Sequence, residues 1–165
     1  MHIPIDIVLK TVRIKPLSYL LYYLCNLFDA DTIMSLVREY SLGVTRSGDI
    51  VHYLIDQQGR CRTGKVMKYN RETGHRIKDP DKPGAITWVH SLLKQLGVLP
   101  KEWTLSQALF GEHLLKKYPD KPVCLVEAEK TAIICAAMRL GSSGWQDSAR
   151  RQGRGSLRSN PHCIS

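Results

Sequence analysis

Apolar positions along the chain change their spacing repeatedly, and each change marks a predicted element. Leu17, Leu20, Leu21, Leu24, Leu27 and Phe28 follow the i, i+3, i+4, i+7 spacing of an amphipathic helix, with Pro16 placed as its first residue. Ahead of it, IPIDIVLKTVRI fits two templates at once: Ile3, Ile5 and Ile7 alternate like a strand, while Ile5, Val8, Leu9 and Val12 keep helical spacing. A second helix follows through Ile33, Met34, Val37 and Tyr40, capped by Asp29 or Asp31 and closed by Gly43. From Asp49 the period drops to two. DIVHYLID, the turn QQG, RCRTGKVMKY, NRETG and HRIK predict a three-stranded antiparallel meander, with Gly64 hinting at a bulge.

Helical spacing returns after the loop KDPDKPG. Thr87 is placed to cap a short helix carrying Val89, Leu92, Leu93 and Leu96, ended by Gly97. Thr104 and Gln107 form a T-x-x-Q capping box ahead of another helix, which Gly111 interrupts before EHLLKKY. Val123 to Val126 is then a short apolar run that predicts a covered parallel strand, and Glu127 stands at its carboxyl end. A helix with Thr131, Ala132, Ile134, Cys135 and Met138 on one face begins at Glu129. In open α/β sheets, ligands bind where such strands finish and such helices begin. Glu127 and Lys130 therefore stand at a candidate ligand site, where a bound phosphate would explain the Lys130 cation in a helix's first turn as ordinary solvation also would. The fold class predicted is α+β.

Composition sharpens this picture in two places. The net charge of +9 is uneven, because residues 139–165 carry five arginines against Asp147 and so hold +4 of it. Between residues 60 and 78 lie seven cations, Arg60, Arg62, Lys65, Lys68, Arg71, Arg76 and Lys78, against one acid, Glu72. That cluster is either the solvated face of a sheet or a surface that tracks phosphates. The five cysteines show no C-x-x-C spacing, and neither they nor the six histidines supply closely paired zinc ligands. Free buried thiols in a reducing cytoplasm are expected. The N-terminal apolar run is too short to span a membrane, and no small-x-small cleavage site follows it at NLFDAD. His90, with Trp88, and His113 are expected to pack rather than to ligate or act as bases.

The stretch VCLVEAEKTA resembles the opening of the Toprim domain of primases and topoisomerases, a hydrophobic strand, a Glu, a small residue and a helix. SLGVTRSGDIVHYLIDQQGRCRTGKVMKYNRETGHRIK, WVHSLLK and LFGEHLLKKYPDKP resemble an uncharacterised family of primase-like proteins of bacterial conjugative and mobile elements; the likeness covers roughly residues 2–138. The resemblance implies that Glu127 serves in acid/base chemistry, that Mg²⁺ is the cofactor of the intact family, and that partners are nucleic acid, DNA above all, with other mobile-element replication or transfer proteins. A zinc-ribbon-like segment, often present ahead of this region in the family, is not found in this sequence.

The Toprim resemblance also requires an Asp-x-Asp pair at a later strand end to hold the metal. None follows, since Asp147 is the only acid after Glu129. From Arg139 onward periodicity disappears among Ser, Gly and Arg. With allowed codons chosen, the same stretch read one nucleotide downstream from Leu140 can encode WAAAGGKTQLGDKVEVLYGRTLIAF, the continuation the resemblance implies, so a frameshift after Met138 is expected in preference to a disordered basic tail. Residues 1–100 are thus read as a helical and meander region, 101–138 as the start of a Toprim-like α/β segment, and 139–165 as an irregular basic tail. The leading expectation is a partial primase-like, nucleic-acid-associated protein without catalytic competence. One alternative is a non-catalytic nucleic-acid-binding module built on the basic meander. The other is an enzyme that uses Glu127 and Lys130 on a nucleotide or phosphate.

Overall fold

Strand β2 (Ile50–Ile55) decides the architecture, because all six of its residues are buried. Side chains of a strand alternate between two faces, so burial at every position means that both faces of the sheet are covered. The computed structural model describes residues 1–13, 17–81 and 85–151, with side chains through residue 140. Among these residues lie six helices and one four-stranded antiparallel sheet in the order β1-β2-β3-β4, the α+β class expected from the patterning. Pro16, expected to open the first long helix, lies outside the described residues.

β1 (Gly43–Val44) sets Gly43 opposite Val51. β3 (Cys61–Met67) runs along the other side of β2, with His52 opposite Lys65 and Tyr53 opposite Gly64. β4 (Thr87–Trp88) closes the sheet against Lys65 and Val66. The third meander strand expected at HRIK is therefore corrected. Residues 68–77 fold back as a hairpin held by the Tyr69–Arg76 bridge and by Ile77 N–H donating to the Lys68 carbonyl (2.9 Å), and β4 takes the place beside β3. Gly64 carries no bulge; the register shifts between Leu54 and Ile55 instead. What Gly64 provides is close approach, since a Cβ there would lie 3.0 Å from both the Tyr53 ring and a Val89 methyl.

On one face Ile50, Met67 and Tyr69 meet Leu20, Leu21 and Leu24 of α2 (Tyr19–Leu24), Ile33, Leu36 and Val37 of α3 (Ala30–Glu39), and Ile133 and Ala137 of α6 (Glu129–Arg151). On the other, Val51, Tyr53, Ile55 and Cys61 meet Ile3, Val8 of α1 (Ile5–Leu9), Val89 of α4 (Val89–Gln95), Leu99 and Trp103. The ambiguous N-terminus resolves into both its templates, with Ile3 bridging to Cys61 and a helix beginning two residues later.

Local chemistry sets the helix ends. Ser18 accepts from the Leu21 amide (3.3 Å), and Asp29 accepts from both the amide and the hydroxyl of Thr32 (2.8 Å each). α3 closes at Tyr40 and a left-handed Ser41 (φ 50°) rather than at Gly43, which belongs to β1. Thr87 does not cap α4; it lies in β4, and Trp88 stands at the N-cap.

The helix expected at the Thr104–Gln107 box is absent among the described residues. Trp103 and Ala108 are buried and Leu105 packs against the core from an irregular segment, and only the short α5 (His113–Lys117) forms. α6 continues through Arg151, into the stretch read as an irregular tail; Ala136, Ala137, Met138, Arg139 and Leu140 are good helix formers. Residues 152–165 lie outside the described residues. The buried thiol is Cys61, pushed up to about 12 by burial, whereas Cys124 is exposed and Cys135 half-buried. Among the described residues no helix is long and apolar enough to cross a membrane.

Asp56 organises the β2–β3 turn. Its Oδ1 accepts from the amides of Gln58 (3.0 Å) and Arg60 (2.9 Å), while its Oδ2 accepts from Nε of Arg60 (2.9 Å) and Arg62 (2.7 Å). Burial alone raises this carboxyl, but the hydrogen bonds from Arg60, Arg62 and Gln58 outweigh it and hold it at about 2. Arg62, itself buried, also donates to the Met1 carbonyl (2.7 Å) and so ties the N-terminus to the sheet. Asp56→Ala is expected to cost about 3–5 kcal/mol by urea unfolding, because it leaves the Arg62 cation buried without its partner. Adding Arg62→Met should recover most of that loss, and an unchanged double variant would show that the turn geometry, rather than the lone charge, is at stake.

Candidate functional site

The segment leading into α6 has no regular secondary structure. Residues 122–126 form no strand, and no backbone amide from 123 to 127 bonds another backbone group among the described residues. Val123 is 69% exposed and Leu125 85%. The covered parallel strand expected here is thus corrected. A strand needs a neighbour's ladder to satisfy its amides and carbonyls, and no described residue supplies one. Glu127 ends the segment exposed to solvent.

Lys130, expected beside Glu127 on a phosphate, instead donates to the Gly74 carbonyl (2.7 Å) and sits 5.8 Å from the centre of the Tyr69 ring. The next carboxylate, Glu129, is committed to Lys65. Magnesium is usually held by one or two carboxylates together with substrate phosphates. Among the described residues no cluster of three or more His, Cys, Asp or Glu side chains could hold a metal. The residues present therefore do not fit the Mg²⁺ site that the resemblance implies, and Glu127 stands alone.

The seven cations separate into two sets. Arg60 and Arg62 converge on Asp56, and Lys65 pairs with Glu129 while lying 5.6 Å from the centre of the Trp88 ring. These three serve the fold. Lys68, Arg71, Arg76 and Lys78 are exposed on the 68–77 hairpin and just after it, and none pairs with a carboxylate among the described residues. Arg71 lies over the ring of Tyr22 (4.3 Å), and Arg76 reaches the Ala85 carbonyl (3.4 Å). At the tip Asn70 Oδ1 accepts from the amides of Glu72 (2.8 Å) and Thr73 (2.9 Å). Gly74 (φ +64°) presses against Tyr23, where a Cβ would fall 2.4 Å from the ring. The turn is therefore seated on α2.

Beneath the first turn of α6 lies a cluster that the sequence reading passed over. His52 projects from β2 toward the helical face beside Lys65, its register partner. It is fully buried against Tyr69 (6.5 Å) and Phe110 (5.4 Å), and neither ring nitrogen has a hydrogen-bond partner among the described residues. Burial lowers its imidazole to about 4; the Glu129 charge opposes this and Lys65 adds to it. Burial raises Glu129, yet the Lys65 ammonium, its own backbone amide and His52 together bring it below the usual carboxylate range. The alternation in IVHYLI places His52 with Ile50 and Leu54, and that was the available signal.

His90 and His113 pack, as expected. His90 Nδ1 meets the Thr63 hydroxyl (2.7 Å) and its ring stacks on Trp103 (5.3 Å). His113 Nε2 donates to the Glu39 carbonyl (2.8 Å), and Tyr118 donates to the Glu39 carboxylate (3.0 Å), which fastens α5 to the end of α3.

These features define an α+β domain with a sheet covered on both faces and a cationic hairpin pinned to its helical layer. The chain belongs to the family described as a domain of unknown function, DUF6371, whose model matches residues 18–145. No curated protein and no solved structure matches it.

His52 sets a pH dependence whose sign follows from its environment. The folded value, about 4, lies below the ordinary imidazole value of 6.5, so the unfolded chain binds the proton first. Its stabilising contribution is complete above about pH 6.5 and is lost as pH falls toward 4. His52→Leu should flatten that part of the stability profile and raise stability at neutral pH by on the order of 1 kcal/mol, because an unpartnered buried polar ring is replaced by an apolar one. Urea midpoints between pH 5 and 7 measure both effects, and an unaltered slope would assign the pH dependence to other groups.

Proposed function

We propose that this chain is a nucleic-acid-associated module of a primase-like, mobile-element protein, and that it contributes binding rather than phosphoryl transfer. One observation carries the binding role: Lys68, Arg71, Arg76 and Lys78 remain exposed and without carboxylate partners on one seated hairpin, while the other three cations of the cluster are consumed by the fold. A row of unneutralised cations on a rigid turn is what counterion release from a phosphate backbone requires. The primase-like assignment is supported by the order of apolar segment, Glu127 and helix at VCLVEAEKTA. An exposed lone carboxylate at Glu127 supports binding without catalysis. This reading puts the chain in the cytoplasm, with DNA as the first partner to test; no disulfide joins the described cysteines.

Fluorescence anisotropy across a salt series tests the proposal on the full chain. Binding should be weak, with little sequence preference, and should fall steeply with salt. Replacing Lys68, Arg71, Arg76 and Lys78 together by Ala should weaken it and lower the log–log salt slope by roughly 3, given about 0.7–0.9 per phosphate contact. Lys101→Ala with Lys116→Ala, exposed cations outside the hairpin, is the control. If the hairpin variant binds as tightly as the parent, with the same slope, the reading is wrong.

A further inference from the structure

Tyr19 and Tyr22 lie one turn apart on α2 and are 40% and 37% exposed, whereas Leu20, Leu21 and Leu24 of the same helix are buried. Each ring is attached to a turn that bears an arginine. The amide of Tyr19 donates to the Gly48 carbonyl (2.9 Å), and its ring covers Gly48 so closely that a Cβ there would fall 2.7 Å from it. Arg46, exposed, stands two residues earlier in that turn. Tyr22 carries the guanidinium of Arg71 at 4.3 Å, and Arg71 is itself exposed. The helix Tyr19–Leu24 contains no acid. Of the nearby carboxylates, Asp49 is buried and accepts from Ser47 (2.7 Å), and Glu72 is exposed beside Arg71.

We propose that the Tyr19–Tyr22 face of α2, bracketed by Arg46 and Arg71, is a stacking platform for the unpaired bases of a single-stranded nucleic acid. This rests on the nucleic-acid reading above and adds what the cationic hairpin alone does not specify. Cations follow phosphates on any nucleic acid, but part-exposed aromatic rings and a stacked guanidinium match bases only when those bases are not already stacked and paired in a duplex. A chain that alternates anionic phosphates with planar bases complements a surface that alternates arginines with rings.

The test compares a labelled oligothymidylate with the duplex it forms with oligoadenylate, both on the full chain. The parent should bind the single strand more tightly. Tyr19→Leu and Tyr22→Leu keep apolar volume and remove the aromatic face; each should weaken single-strand binding about tenfold, Tyr19→Leu leaving duplex binding unchanged and Tyr22→Leu, which also unseats Arg71, costing the duplex distinctly less than the strand. Thermal melts establish that the variants are folded, and Arg46→Gln, an exposed substitution, gives an independent loss on the single strand. Equal affinity for strand and duplex, with the Tyr variants altering neither, overturns the platform and leaves the cationic reading standing. Equal losses on both probes also overturn it, because stacking is not then what the rings supply. No binding of either probe overturns the nucleic-acid reading itself, and the platform with it.

Discussion

Double-sided burial of β2 is the constraint from which the rest of the structure follows. An antiparallel sheet ordinarily leaves one face in water, but Ile50, His52 and Leu54 and their opposite-facing neighbours Val51, Tyr53 and Ile55 are all covered. Once both faces are closed, every polar group on the central strands must find a partner within the protein or remain without one. Asp56 and Arg62 solve this with a buried ion pair and its hydrogen bonds; Lys65 solves it with Glu129; His52 does not solve it among the described residues. The Lys65–Glu129 pair carries a further consequence, because it fixes the first turn of α6 onto β3 and so positions the segment that bears Glu127.

The same constraint divides the basic cluster. Charges on β3 proper are drawn into the interior and neutralised, since an unpaired buried cation is costly, while charges beyond Met67 stay in water because the sheet ends there. Position relative to the end of one strand, more than sequence density, thus separates the cations that build the fold from those that can meet a ligand.

Much of the fold was legible in the residues. Helical spacing located α2, α3 and α4, and period-two alternation located β2 and β3, because these elements bury one face or a whole strand and leave a strong pattern. The failures share a cause, which is dependence on partners distant in sequence. HRIK alternates correctly but loses its place beside β3 to Thr87 and Trp88. Thr104 and Gln107 have capping chemistry, yet the segment stays irregular while Trp103 and Ala108 pack into the core. Val123 to Val126 has strand composition without a ladder. Of the candidate site, the cationic run was visible, but its division was not, because Asp56 and Glu129 become its counter-ions only in three dimensions. Tyr22 could not be linked to Arg71 from spacing at all.

On the proposed reading, the hairpin would gain as a binding element from how firmly it is held. A polar turn projecting from a strand end would lose conformational freedom on meeting a ligand, and that loss would subtract from affinity. Here the freedom is already spent. Gly74 lies against Tyr23 in a left-handed conformation closed to most side chains, Arg71 is stacked on Tyr22, Asn70 caps the tip from within, and Lys130 holds the Gly74 carbonyl. The last contact matters most for coupling, because Lys130 belongs to the first turn of α6, three residues beyond Glu127. The hairpin is thereby joined to the helix start that Lys65 and Glu129 anchor to the sheet. One ammonium therefore links the turn of the hairpin to the segment that carries Glu127.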